Sequence, residues 1–176
     1  MQEKNSDNLK KKSSRQRKDI SAWEQTLRWL DSRWYSENKL REKLNRLMYP
    51  TAEIEAVLNR CREYNLVNDA QLAEDFALSQ SSRGRGSRRI AMELRRHGLT
   101  GEAAANALEK ISGEDENSAV QALAGKLASW KNETDWRKRR EKAFRFLANR
   151  GFPLDIIYET LDAEPSLNYQ YNADEL

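Results

Sequence analysis

The sequence predicts an all-α protein: three tandem three-helix repeats forming an elongated, curved array. Three observations carry that expectation. Apolar residues recur at spacings of three and four from Trp23 to Leu161, with no sustained period-two alternation of the kind a strand requires. The periodic stretches are punctuated by helix starters such as Ser21, Ser36 and Thr100 and by stops at Gly98 and Gly151. Finally, Leu44, Leu94 and Leu147 lie at offsets of 50 and 53 residues, a register that also aligns Leu40 with Ile90 and Ala143, and Ile54 with Ala104 and Ile157.

The first repeat, residues 21–65, opens with Ser21 as an N-cap and Glu24 three residues on, the reciprocal arrangement in which each side chain satisfies the other's free amide. Trp23, Leu27, Leu30 and Trp34 are the expected core face of that helix. Ser36 starts a second helix through Leu40, Leu44 and Leu47, which Pro50 ends; Thr51 starts a third through Ile54, Val57, Leu58 and Cys61. In the second repeat, residues 66–112, Asn68 or Asp69, Ser87 and Thr100 open helices carrying Ala73 and Phe76, Ile90 and Leu94, and Ala107 and Ile111. In the third, residues 113–162, Asp115, Asp135 and Pro153 open helices carrying Ala119 and Leu123, Ala143 and Leu147, and Ile157 and Leu161. The junctions Arg96-His97-Gly98-Leu99-Thr100 and Asn149-Arg150-Gly151-Phe152-Pro153 share one pattern: a polar pair, a glycine, an apolar residue and a helix starter.

Charge is nearly balanced, with 31 Lys and Arg against 28 Asp and Glu among 176 residues, but it is unevenly placed. Residues 1–20 hold seven basic and three acidic residues with little to bury, and are expected to be a disordered basic arm. Residues 163–176 hold three acidic residues and no basic one, and are expected to be a flexible acidic tail. One Cys and one His permit neither a disulfide framework nor a Cys- or His-rich zinc site. No long apolar run is present, and neither a membrane span nor a secretory leader is expected; a cytoplasmic monomer is the expectation.

Catalytic chemistry finds no constellation. Gly84 and Gly86 lack the spacing and the Lys of a phosphate loop. His97, next to Gly98, suits the negative end of a helix, and Cys61 falls in an apolar stripe, so neither reads as a catalytic group. No enzyme activity, cofactor or metal is expected. Arginines are what remain: Arg83, Arg85, Arg88, Arg89, Arg95 and Arg96 around the second repeat's middle helix, opposed only by Glu93, and Arg137, Lys138, Arg139 and Arg140 at the equivalent place in the third. A helix start after Gly-Arg-Gly also promises free backbone amides for an anion. Together these suggest an anionic partner surface, either a nucleic-acid backbone or an acidic protein groove. The five tryptophans could stack on bases, but their spacing favours packing.

The phrases Leu66-Val67-Asn68-Asp69-Ala70-Gln71-Leu72-Ala73-Glu74-Asp75-Phe76, Arg83-Gly84-Arg85-Gly86-Ser87-Arg88-Arg89-Ile90 and Glu93-Leu94-Arg95-Arg96-His97-Gly98-Leu99 together resemble the central signature of the RecX family of recombinase regulators. Ser36 to Leu44 is similar to that family's first-unit phrase and Lys142 to Phe152 to its last, so the resemblance covers about residues 21–162. This chain departs from the family's usual aromatic at Leu72, Arg at Gln80 and Pro at Ser87. The resemblance implies a modulator that binds the RecA filament on single-stranded DNA and mainly inhibits its ATPase, strand-exchange and coprotease activities, with possible weak direct DNA contact. Arg83, Arg85, Arg88, Arg89, Arg95, Arg96, Arg137, Lys138 and Arg140 are the candidate contacts. The alternative is a helical DNA-binding module acting without RecA; against it, Thr100 to Ile111 would be the reading helix and carries no arginine.

Overall fold

A computed structural model of the chain describes residues 20–168. The arm of residues 1–19 and the tail of residues 169–176 lie outside the described residues. Among the described residues there are nine α-helices and no strand: α1 (Ala22–Ser32), α2 (Glu37–Arg46), α3 (Thr51–Glu63), α4 (Asp69–Ser81), α5 (Ser87–Arg96), α6 (Gly101–Ser112), α7 (Asp115–Leu127), α8 (Trp136–Arg150) and α9 (Leu154–Ala163). Two single-turn 3₁₀ segments, Ala128–Trp130 and Pro165–Leu167, follow α7 and α9. The chain divides into two compact units, one reaching to Leu72 and one beginning at Ala73.

In the first unit α3 packs on both α1 and α2. Its core joins Ala22, Leu40, Leu44, Ile54, Val57, Leu58 and Cys61, with Trp23, Trp29 and Leu30 half-buried around it. Ser21 and Glu24 form the expected capping box. The face expected for α1 is corrected: Ala22 and Thr26 are buried, whereas Leu27 is exposed and Trp34 lies beyond the helix end, 75% exposed. Small residues at positions four apart let α1 approach α3 closely, and Glu53 of α3 accepts the Ala22 N–H at 3.1 Å. Burial in this core pushes the Cys61 thiol pKa up, which suits a small hydrophobe rather than a nucleophile.

The second unit holds the other two sets of helices. Ala73, Ala77, Ile90, Leu94, Leu99, Ala107 and Ile111 are buried in the first set; Ala104, aligned with Ile54 and Ile157 by the repeat, is only half-buried. The second set shares a core of Ala119, Leu123, Ala143, Leu147, Phe152, Ile157, Leu161 and Leu167. Leu167 corrects the start of the expected tail. Residues 163–168 fold back, fixed by Leu167 in this core and by Arg139 and Arg140, which donate to the Ser166 carbonyl and the Asn168 side chain.

The repeat register is visible in the backbone. Three middle helices end in the same way: Tyr49, Leu99 and Phe152 each return an N–H to the carbonyl five residues back, on Leu44, Leu94 and Leu147. The residue before each is left-handed, with φ of 76° at Gly98, 84° at Gly151 and 63° at Met48.

Candidate functional site

The arginines of the second unit gather where α5 begins, and the reason is a backbone joint. Gly84 is left-handed (φ 68°), which turns the chain back from α4. Gly86 then lies directly on the end of α8: its N–H donates to the Arg150 carbonyl at 3.0 Å, and the Arg88 N–H donates to the Gly151 carbonyl at 3.1 Å. The Ser87 N–H is taken by Asp115 Oδ1 at 3.1 Å. The start of one helix therefore satisfies the end of another, positive end to negative end. This corrects the expectation of free amides at the start of α5: those of Gly86, Ser87 and Arg88 are spent inside the protein.

Side chains reinforce the joint. Arg150 donates to the carbonyls of Arg83 (3.1 Å) and Gly84 (2.8 Å) while its guanidinium lies over the Phe146 ring. Arg89 donates to the Asn149 carbonyl at 3.2 Å. Asp115 is buried, and burial raises its pKa despite the opposing bonds from Ser87. Sequence reading placed Asp115 at a helix start but missed that it caps α5, twenty-eight positions earlier in the chain. Asp69 does the same for α2, accepting the Glu37 N–H at 3.0 Å. A first-turn Asp on the helix that opens the next repeat is the signal that could have found both.

The candidate contacts now separate. Arg83, Arg88 and Arg95 are exposed and Arg85 half-buried, and none of the four makes an ion pair among the described residues. Arg88 and Arg89 line a groove of about 370 Å³ together with exposed Met92 and Leu154 and buried Phe152 and Ile157. On the other side of the joint, Arg83, Lys126 and Arg150 line a polar cleft of about 600 Å³ with Asn117, Ser118 and Gln121. Arg96 is paired with Glu93 at 2.8 Å but remains exposed. Arg137 and Lys138 are exposed at the other end of α8, some ~20 Å from Arg150 at the usual helical rise, so the structure does not bring the two clusters together.

Arg140 is engaged within the fold, unlike Arg137 and Lys138. Its guanidinium donates to the Leu161 carbonyl, Asn168 Oδ1 and Asp162, which makes it a brace for the end of α9. Gln80 is buried with Oε1 unpartnered, so that position does not supply a surface contact. His97, exposed at the end of α5, packs against Phe76 with ring centroids 5.1 Å apart. Among the described residues no three of His, Cys, Asp or Glu converge as a metal would require, and no helix is long and apolar enough to cross a membrane.

Helices folded in threes, with arginines that make no ion pair among the described residues gathered around a packed joint, define a tandem three-helix repeat protein. Family models for the first, second and third three-helix domains of RecX match residues 22–61, 68–108 and 114–161. The Regulatory protein RecX of Chromohalobacter salexigens is 34% identical over 131 residues, 74% of this chain and 84% of the relative. That of Syntrophotalea carbinolica is 32% identical over 148 residues, 81% of this chain and 95% of the relative. The crystal structure of RecX from Lactobacillus salivarius matches at a TM-score of 0.72, covering 80% of this chain and 92% of that one; at 23% identity it bears on the fold alone. The chain belongs to the RecX family of regulatory proteins.

Proposed function

We propose that this protein acts in the cytoplasm by binding the RecA filament on single-stranded DNA and mainly inhibiting its ATPase, strand-exchange and coprotease activities. It thereby regulates DNA repair and recombination. The observation that carries this reading is the row Arg83, Arg85, Arg88 and Arg89. These side chains stand beside a joint whose Gly86, Ser87 and Arg88 amides are held inside the protein, so their charge is presented on a rigid frame to an external anionic surface. Family membership supplies the regulatory role, and the RecX resemblance supplies RecA as the partner.

A DNA-binding module working without RecA has less support. α6, its reading helix, carries one cation, Lys110, and that is paired with Glu74. The deciding measurement compares affinity for preformed RecA filaments with affinity for bare single-stranded and duplex DNA, beside inhibition of DNA-dependent ATP hydrolysis. Preference for filaments is expected, and Arg88→Glu weakens both binding and inhibition while the melting temperature holds. Tighter binding to bare duplex overturns the reading.

A further inference from the structure

The joint between α5 and α8 has two sides of different chemistry. Arg83, Lys126 and Arg150 line one of them with the polar side chains of Asn117, Ser118 and Gln121. Arg88 and Arg89 line the other, where they share a groove with Met92, Phe152, Leu154 and Ile157. Met92 follows Arg88 by four residues, so both stand on one face of α5; Leu154 and Ile157, three apart, share a face of α9. Met92 is 69% exposed and Leu154 50%, so the groove holds apolar surface that the fold leaves in water. Neither arginine makes an ion pair among the described residues, and Glu93, the one carboxylate lining the groove, is paired with Arg96 at 2.8 Å. The frame is fixed: Arg89 donates to the Asn149 carbonyl at 3.2 Å, and its backbone nitrogen would lie only 2.6 Å from a Cβ placed on Gly151.

We infer that this groove docks an acidic segment of the partner protein, with an apolar anchor side chain against Met92, Leu154 and Ile157 and flanking carboxylates on Arg88 and Arg89. The inference rests on the proposed function and deepens it, because it makes this side of the joint a contact with protein and not with the nucleic-acid strand. A strand's phosphates would satisfy the arginines, but its backbone offers Met92 and Leu154 nothing and would lose water against them. Its bases stack on aromatic faces, and the one ring lining the groove, that of Phe152, is only 1% exposed. A wholly apolar partner would strip water from the arginines and return no counter-charge. A segment that carries both an apolar anchor and carboxylates complements both linings, since a guanidinium pairs with a carboxylate through two parallel hydrogen bonds and methionine adapts its shape to the side chain it receives.

The test measures the affinity of the full-length protein for preformed RecA filaments and, separately, for a bare labelled oligothymidylate. The double variant Met92→Ala, Leu154→Ala alters no charge; it weakens filament binding about ten-fold and leaves affinity for the bare strand as in wild type. Met92→Leu, which restores apolar bulk, keeps most of the filament affinity, and Arg88→Ala weakens filament binding and flattens its salt dependence. Because Met92 and Leu154 are exposed, circular dichroism and melting of the variants should match wild type. Unchanged filament affinity in the double variant overturns the inference while the proposed function stands. An equal loss for the bare strand also overturns it, by making the groove a nucleic-acid contact. So does a wild-type dimer in sedimentation that the double variant breaks, since the groove would then be filled by a second copy of the chain. Failure of the wild-type protein to bind the filament is a different result, read before any variant, and overturns the proposed function together with the inference.

Discussion

The backbone of Gly86 is seated on that of Gly151: a Cβ on Gly86 would stand 2.4 Å from the Gly151 carbonyl carbon and oxygen, and 2.3 Å from the Phe152 nitrogen. Backbone cannot yield as a flexible side-chain tip can. Gly86→Ala is therefore expected to cost about 3 kcal/mol or more, by forcing α5 off the end of α8. Gly125→Ala, whose added methyl meets nothing, is the control and should stabilise α7 by about 0.5–1 kcal/mol. Urea unfolding of the two variants checks both signs.

Met48 occupies the left-handed position that glycine fills at 98 and 151, and its side chain is 86% exposed, so little packing offsets the strain. Met48→Gly should raise stability by about 0.5–1 kcal/mol. The expected observation is a higher urea midpoint with an unchanged m-value.

Asp115 behaves opposite to the usual carboxylate. Burial holds its folded pKa above the unfolded value, so its ionised form weakens the fold; its contribution is fully present below the unfolded pKa and is lost as pH rises through the folded pKa. Asp115→Asn keeps an oxygen for the Ser87 N–H and removes the buried charge. It should melt at or above wild type at pH 7, with the difference closing as the pH falls toward the carboxylate range. Asp115→Ala loses the cap as well and should melt lower, by about 1 kcal/mol of stability. Melting curves across pH test this.

Arg140 and Lys138, two residues apart on α8, should give opposite results. Arg140→Ala removes the brace on α9 and Asn168 and should lower the melting temperature by a few degrees, about 1 kcal/mol, with filament affinity of the folded protein unchanged. Lys138 is exposed and has no ion-pair partner among the described residues. Lys138→Ala should leave the melting temperature alone and weaken filament binding.

Local rules made the helices legible. The Ser21–Glu24 box, the asparagine at position 68, Asp135 and the glycines at 98 and 151 act within a few residues, so their sequence signal is complete. The α1 face was legible only in part: Trp23 and Leu30 pack against the core as expected, but the final alignment depended on which residues α3 would accept, so Ala22 and Thr26 are buried and Leu27 and Trp34 were left outside. Met48 could be read only after the repeat had been aligned, since no local rule favours methionine at positive φ.

The candidate site divides along the same line. The sequence by itself determined the helices, their repeat, the family resemblance and the presence of an arginine surplus around α5 and α8, because these depend on residue type and short spacing. Only the tertiary structure decided which charges remain available. A cation's partner is chosen by what the fold brings beside it, so Arg140 is spent on Asp162 and Asn168, the α5 amides are spent on α8 and Asp115, and Arg83, Arg88 and Arg95 are left without an ion pair among the described residues. Trp34, expected in the core, was left in water for the same reason: burial belongs to the packing of whole helices, which no spacing within one helix can fix.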